Sequence, residues 1–353
     1  MDGTSETAEG AALKGTRKSN ATGSLTTSGT EPTSIAIDFQ NWTSSVAFFA
    51  DGEHVVGGDK DGKIRCFKVE DGNEMGAPLD AGDSVWSIAV SRDGKWIVAG
   101  TRGGQVMVWD AESREKVIWP GLGHATWVGS VDISPDSTKF ATGSRDKTAR
   151  LWSLSPTVQS QQLRELEHNY EVHTVKFSPD GHLFATGSAK LFWTSDATSQ
   201  LRIYDGQNGQ PLVNVTIGCW SLAWASDSKQ LFALSFDGNV RCLDVFSGAM
   251  LSQWLVHGTD GARCISMSSD GAFVAVSVSS SVSFWDTSTR LPIGPIIHGP
   301  DEVYAMAISR NYDLAISGGK KIILRDLCGI LPSPYVDKYV SGSALKPPLK
   351  PLC

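Results

Sequence analysis

The stretch GHATWVGSVDISPDSTKFATGSRDKTARLW, Gly123–Trp152, decides how the whole chain is read. It gathers a His, an Asp, several Ser and Thr and a Trp, which suits either an acid-base site or a polar lattice inside a β-protein. Its inner phrase, VDISPDS from Val131, returns along the chain. The relatives are VAFFADG from Val46, IAVSRDG from Ile88, VKFSPDG from Val175, LAWASDS from Leu222, ISMSSDG from Ile265 and MAISRNY from Met306. The markers Asp51, Asp93, Asp136, Asp180, Asp227, Asp270 and Asn311 are separated by 42, 43, 44, 47, 43 and 41 residues. A nearly constant period of this length signals a repeat architecture.

Each marker is followed by a short apolar segment such as KWIVAG or KFATGS, a turn, and a second segment such as QVMVWD or TARLWS. β-branched content and alternation make these strands, and the Asp-Gly pairs are read as supplying the positive φ angles of two-residue hairpins. Four short strands per unit form a sheet with two apolar faces, which cannot stand alone. Stacking seven such sheets radially covers those faces, so the expected fold is all-β, a seven-bladed β-propeller of four-stranded antiparallel blades.

Trp109-Asp110, Tyr204-Asp205, Leu243-Asp244 and Trp285-Asp286 end third strands, and Gly123-His124 precedes a first strand. On these residues the chain resembles the WD-repeat β-propellers over roughly Ile35 to Leu327, with phrasing in repeats two and three similar to fungal propellers, including those attached to NACHT-type receptors. It departs from the pattern at Phe67-Lys68, Trp152-Ser153 and Arg325-Asp326. In such propellers an N-terminal strand commonly closes the ring, and SIAIDF, residues 34–39, has the alternation to complete blade seven. The expected organisation is a Ser/Thr/Gly-rich tail at 1–33, a propeller at 34–327 and a Pro/Lys-containing tail at 328–353, in which ILPSPYV can pack on the rim and Pro348 and Pro351 make a PxxP. The resemblance implies that His124, Thr142 or Ser144, Asp146 and Trp152 form a structural hydrogen-bond chain, and elementary chemistry agrees, because a buried indole N–H needs an acceptor and a buried Asp needs donors.

No catalytic or cofactor signature competes with that reading. There is no GxSxG elbow, GxxxxGK[ST] loop, HExxH or GxGxxG after a strand. The six cysteines lack a CxxC pair and a nearby His, so neither a metal nor a disulfide framework is expected. A net charge of −7 disfavours a general nucleic-acid binder, and no run of about 18 apolar residues predicts a membrane span. Expected localisation is cytoplasmic or nuclear, as a monomer or a subunit of a complex.

Aligned repeats become rings in a propeller. The position opening each inner strand reads Ser44, Trp86, Gly129, His173, Trp220, Arg263 and Tyr304, which are either internal packing residues or interface anchors at the channel mouth. A second column reads Lys60, Arg102 and Arg145, then Phe236, Val278 and Gly318, with Lys190 near the fourth place. These cations are either solvated turn residues or a basic arc that takes an acidic or phosphorylated segment. The expected function is a non-catalytic protein-protein interaction scaffold that binds a protein or peptide on this face. A reader of phosphorylated or ubiquitin-like signals and an enzyme at the channel mouth are the alternatives. Repeat four carries about eight extra residues that include KLFWTSD from Lys190, since Gly187 and Ile203 are 16 positions apart where Gly143 and Leu151 are 8 apart.

Overall fold

The computed structural model describes residues 34–117, 123–154, 162–190, 199–256, 261–299 and 301–340. Seven four-stranded antiparallel sheets account for nearly all of them, a seven-bladed β-propeller. The inner strands are Thr43–Phe48, Val85–Val90, Val128–Ile133, Glu171–Phe177, Ser221–Trp224, Ala262–Met267 and Val303–Ile308. Each packs on the next, and Thr43–Phe48 packs on Val303–Ile308, so the ring closes. The outer strand of the last blade is Ser34–Asp38, paired with Lys321–Asp326 in the register Ile35 to Leu324 and Ile37 to Ile322.

The recurring phrase has a local cause. Ser91 Oγ donates to Asp93 (2.6 Å) and accepts from the Trp96 amide (2.9 Å); Ser134 with Asp136, Ser178 with Asp180 and Ser268 with Asp270 repeat the arrangement. Gly94 then takes a φ of +71 to +77° in common with Gly52, Gly181 and Gly271, a region that only Gly occupies freely. These loops span several residues: five residues separate strand Val85–Val90 from Trp96–Thr101. They are turns closed by Gly94 N–H to the Ser91 carbonyl, which corrects the two-residue hairpin read from the sequence. The Asp that ends a third strand is a turn fastener too. Asp110, Asp205, Asp244 and Asp286 each accept from the backbone amide three residues on.

Second strands such as Trp96–Thr101 and Phe273–Val278 are buried at every position, because each blade is covered on both faces by its neighbours. Between blades two and three, Trp96, Val98 and Val108 meet Val128, Val131, Phe140 and Trp152. Close approach explains the glycines of those strands: a Cβ on Gly58, Gly100 or Gly143 would lie within 2.7 Å of Val85, Val128 or Val172 in the following blade. Inner strands are also stitched sideways. The hydroxyls of Ser45, Ser87 and Ser130 accept from the amides of Ile88, Val131 and Val175 in the next blade.

Past the last strand the chain makes a 3-10 turn, Leu327–Gly329, and a helix, Ser333–Val340. Leu331 and Val336 are buried beside Phe273, Ile293 and Leu314, and Tyr335 donates to Asp286 at 2.7 Å. The segment from residue 328 thus begins as a packed element against blades six and seven, as the ILPSPYV alternative has it. The expectations for residues 1–33, for residues 191–196 of the repeat-four insert and for Pro348 and Pro351 lie outside the described residues. Among the described residues no helix is long and apolar enough to cross a membrane.

Candidate functional site

The polar residues of the opening stretch meet in one buried line. His124 Nδ1 lies 2.9 Å from Asp146 Oδ2, and its Nε2 lies 2.7 Å from Thr142 Oγ1. Thr142 Oγ1 also accepts from Trp152 Nε1 at 2.9 Å. One set of directions satisfies every group: indole N–H to threonine oxygen, threonine O–H to His124 Nε2, and His124 Nδ1–H to the carboxylate. Although burial works to raise it, hydrogen bonds from His124 and Thr148 hold the Asp146 carboxyl far below the usual carboxylate range. The His124 side chain is 0% exposed, so no substrate reaches it, and the line fastens a loop, a turn and two strands.

Ser144, named with Thr142 as a candidate for this line, stands aside and donates to the Thr126 carbonyl at 3.0 Å. Thr148, which sequence reasoning missed, donates to Asp146 Oδ1 at 2.7 Å. A second line was also missed. In blade four His168 Nε2 meets Thr186 Oγ1 at 2.8 Å and Tyr204 Oη at 3.2 Å. The separation of 18 residues between His and Thr is common to both lines and was the signal available in the sequence. Burial lowers the His168 pKa to about 4, so this imidazole is neutral near pH 7.

The first aligned column does become a ring. Ser44, Trp86, Gly129, His173, Trp220, Arg263 and Tyr304 line one cavity of about 120 Å³ at one mouth of the channel, together with Trp127, Arg145 and Val172. Trp42 and Trp127 were overlooked because they stand two positions earlier in their repeats. They occur in the two blades whose ring residue is small, Ser44 and Gly129, so an aromatic group is supplied there from the neighbouring position. The rings touch: Trp86 and Trp127 at 4.7 Å, His173 stacked on Trp220 at 4.2 Å, Trp42 edge-on to Tyr304 at 5.9 Å and Trp220 against Phe236 at 5.7 Å. Burial brings the His173 pKa down to about 4, and its Nε2 is 3.1 Å from the Ala189 carbonyl, so it serves as a neutral ring.

The second column stands on the same face for a backbone reason. The amides of Lys60, Arg102 and Arg145 donate to the carbonyls of Trp42, Ser84 and Trp127, which fixes each turn against the start of its own inner strand. Lys60 Nζ then sits 4.8 Å from the Trp42 ring centre, and the guanidiniums of Arg102 and Arg145 sit 4.8 and 3.8 Å from that of Trp127. Arg263 differs, because Glu302 pairs with it at 2.6 Å and cancels its charge. Lys190 is an exposed residue after strand Leu183–Ala189, at the edge of the undescribed insert.

At the channel's other end a cavity of about 400 Å³ is lined by Phe48, Val90, Trp224, Met267 and Ile308. Its ion pair is Asp132 with Lys176 at 3.0 Å, and the second Asp132 oxygen accepts from the Phe177 amide. Neither mouth brings a free carboxylate beside a nucleophile among the described residues. No cluster of His, Cys, Asp and Glu there could hold a metal ion.

Comparison with known proteins agrees with the fold. A family model described as WD domain, G-beta repeat, matches residues 78–110, 117–153 and 160–205. Each matched unit starts near the outer strand of one blade and ends with the third strand of the next, the same stagger that leaves blade seven to be completed by Ser34–Asp38. The chain is 30% identical over 131 residues to MST50-interacting protein 11 of Pyricularia oryzae, covering 36% of this chain and 40% of that protein. It is 31% identical over 199 residues to a guanine nucleotide-binding protein subunit beta of Zea mays, covering 52% and 49%. Against small ribosomal subunit protein RACK1 of Neurospora crassa it is 32% identical over 141 residues, covering 36% and 40%. The chain thus spans half or less of the length of these relatives.

Proposed function

We propose that this chain, a WD-repeat β-propeller, is a non-catalytic platform that binds a partner protein or peptide on the face ringed by Trp42, Trp86, Trp127, Trp220 and Tyr304. The observation that carries the reading is the convergence of a whole repeat column, with its flanking cations, on one channel mouth. Large aromatic groups bury much area at little entropic cost, and together with Arg they dominate interface energies. The ring is held still by the serine stitches between inner strands and by the buried polar lines, so ordering on this side costs little when a partner docks. The relatives' names point the same way: one is an interacting protein, another a subunit of a guanine nucleotide-binding protein, a third a ribosomal subunit protein. The same reading places the protein in the cytoplasm or nucleus, where buried thiols such as Cys219 and Cys242 stay reduced.

The test is affinity capture with the wild type and a Trp86→Ala, Trp220→Ala, Tyr304→Ala variant whose melting is first shown to remain cooperative. Removing three such anchors should weaken a specific partner by at least about a hundredfold. Partners retained in full by the folded variant would remove the ring from the account.

A further inference from the structure

We propose that Arg102 and Arg145, held together on Trp127, form a receptor for a phosphoryl group carried by the partner; this deepens the platform reading and rests on it. Both guanidiniums lie over one indole, at 4.8 and 3.8 Å from its ring centre, and both turns are anchored by backbone hydrogen bonds. Neither side chain has a carboxylate within 4 Å or a hydrogen-bond acceptor among the described residues. Three other arginines of the fold have carboxylate partners: Arg65 with Glu74 at 2.6 Å, Arg150 with Glu165 at 3.0 Å and Arg263 with Glu302 at 2.6 Å. Burial draws the Arg145 guanidinium below its usual range, with Glu171 opposing and the like charge of Arg102 adding to the effect. The cavity also holds an unmet donor, since Trp86 Nε1 is buried without a partner.

Two like charges held beside one ring repel each other, and an anion that contacts both removes the repulsion. A carboxylate brings one charge and leaves one cation uncompensated. A phosphomonoester brings a charge of roughly −1.5 to −2 near pH 7 and three acceptor oxygens, enough for a fork from each guanidinium. Contact with Trp127 restrains both guanidiniums, so less reordering of long side chains is needed to receive the group. The chemistry recognised is therefore a phosphorylated Ser, Thr or Tyr side chain rather than Asp or Glu.

The probe is phosphothreonine blocked at both ends, compared with equally blocked glutamate at matched ionic strength. At about 20 mM, phosphothreonine should raise the melting temperature by roughly 1–2 °C, with glutamate giving less than about a third of that shift. The phosphothreonine effect should grow between pH 5 and 7, as the second phosphate ionisation near pH 6 completes. Arg102→Gln and Arg145→Gln should each abolish most of the shift, Arg145→Lys should reduce it by about threefold through loss of the fork, and the exposed Arg92→Gln should leave it intact. Equal shifts from glutamate and phosphothreonine, or a shift that survives both Gln variants, would overturn the proposal. Loss of captured partners from the ring variant without any phosphothreonine binding would sink the receptor and leave the platform standing.

Discussion

A chain shortened to begin at Gln40 should melt roughly 5–10 °C below one that begins at Thr33, and should aggregate as it is concentrated. The six residues between these starts supply the outer strand of blade seven. Ile37 and Phe39 are 5% and 6% exposed, and burying two such side chains is worth roughly 3–6 kcal/mol. Phe39 also sets its ring edge-on to Phe67 at 5.6 Å, and its amide donates to the Lys320 carbonyl at 2.8 Å. Their removal bares the edge of strand Lys321–Asp326, whose middle residues Ile322, Ile323 and Leu324 invite pairing with another chain. Thermal unfolding and light scattering of the two chains check both parts. Closely similar melting would mean that the inner strands hold the ring without this strand.

Thr142→Val should cost roughly 2–4 kcal/mol, although the side chain keeps its size. The hydroxyl is fully buried and serves two partners, so its loss leaves the Trp152 N–H without an acceptor and His124 Nε2 without a donor. Trp152→Phe removes the stranded indole N–H as well. The double variant should therefore lose about 1 kcal/mol less than the sum of the singles, and simple additivity would show that Thr142 does not link the two rings. The acid limb carries the same signature. The folded Asp146 carboxyl is held below its unfolded value, so its stabilisation is present above the ordinary carboxylate range and is lost as pH falls through the lowered folded value. Asp146→Asn should accordingly be less stable near neutrality and lose less than the wild type on acidification.

The number of blades was legible in the sequence because the turn after the inner strand is closed by its own residues, through Ser-x-Asp in four blades and through close variants of it in the other three. The His124 line was legible for a similar reason: its four groups satisfy one another and are all needed. Its partner in blade four was harder to see, because Tyr204 replaces Trp and Lys190 stands near the place of the Asp, leaving only the separation of His168 from Thr186 as a trace. Trp42 and Trp127 escaped the column reading because a side chain reaches the channel mouth from either of two positions two residues apart, and spacing alone does not say which. The pairing of Arg263 with Glu302 was equally hidden, since the two belong to different blades and are 39 residues apart. The helix Ser333–Val340 has no counterpart among the repeats, and only the apolar Leu331 before it and Val336 within it hinted that the chain folds back.

The propeller also presents a rival surface. Leu212, Phe246, Met250, Leu251, Leu255 and Leu291 are all more than half exposed, on the outer strands and adjoining turns of blades four to six. Hydrogen–deuterium exchange of the chain with and without a captured partner separates the two surfaces directly, because docking slows the amides it covers. The account predicts new protection in the turns at residues 59–62, 101–104 and 144–147 and in the entries to the inner strands near Trp42, Trp86, Trp127 and Tyr304, with the outer strands unchanged. Protection confined to Pro211–Val215, Met250–Leu255 and Pro292–His298 would contradict it and move the binding site to the circumference.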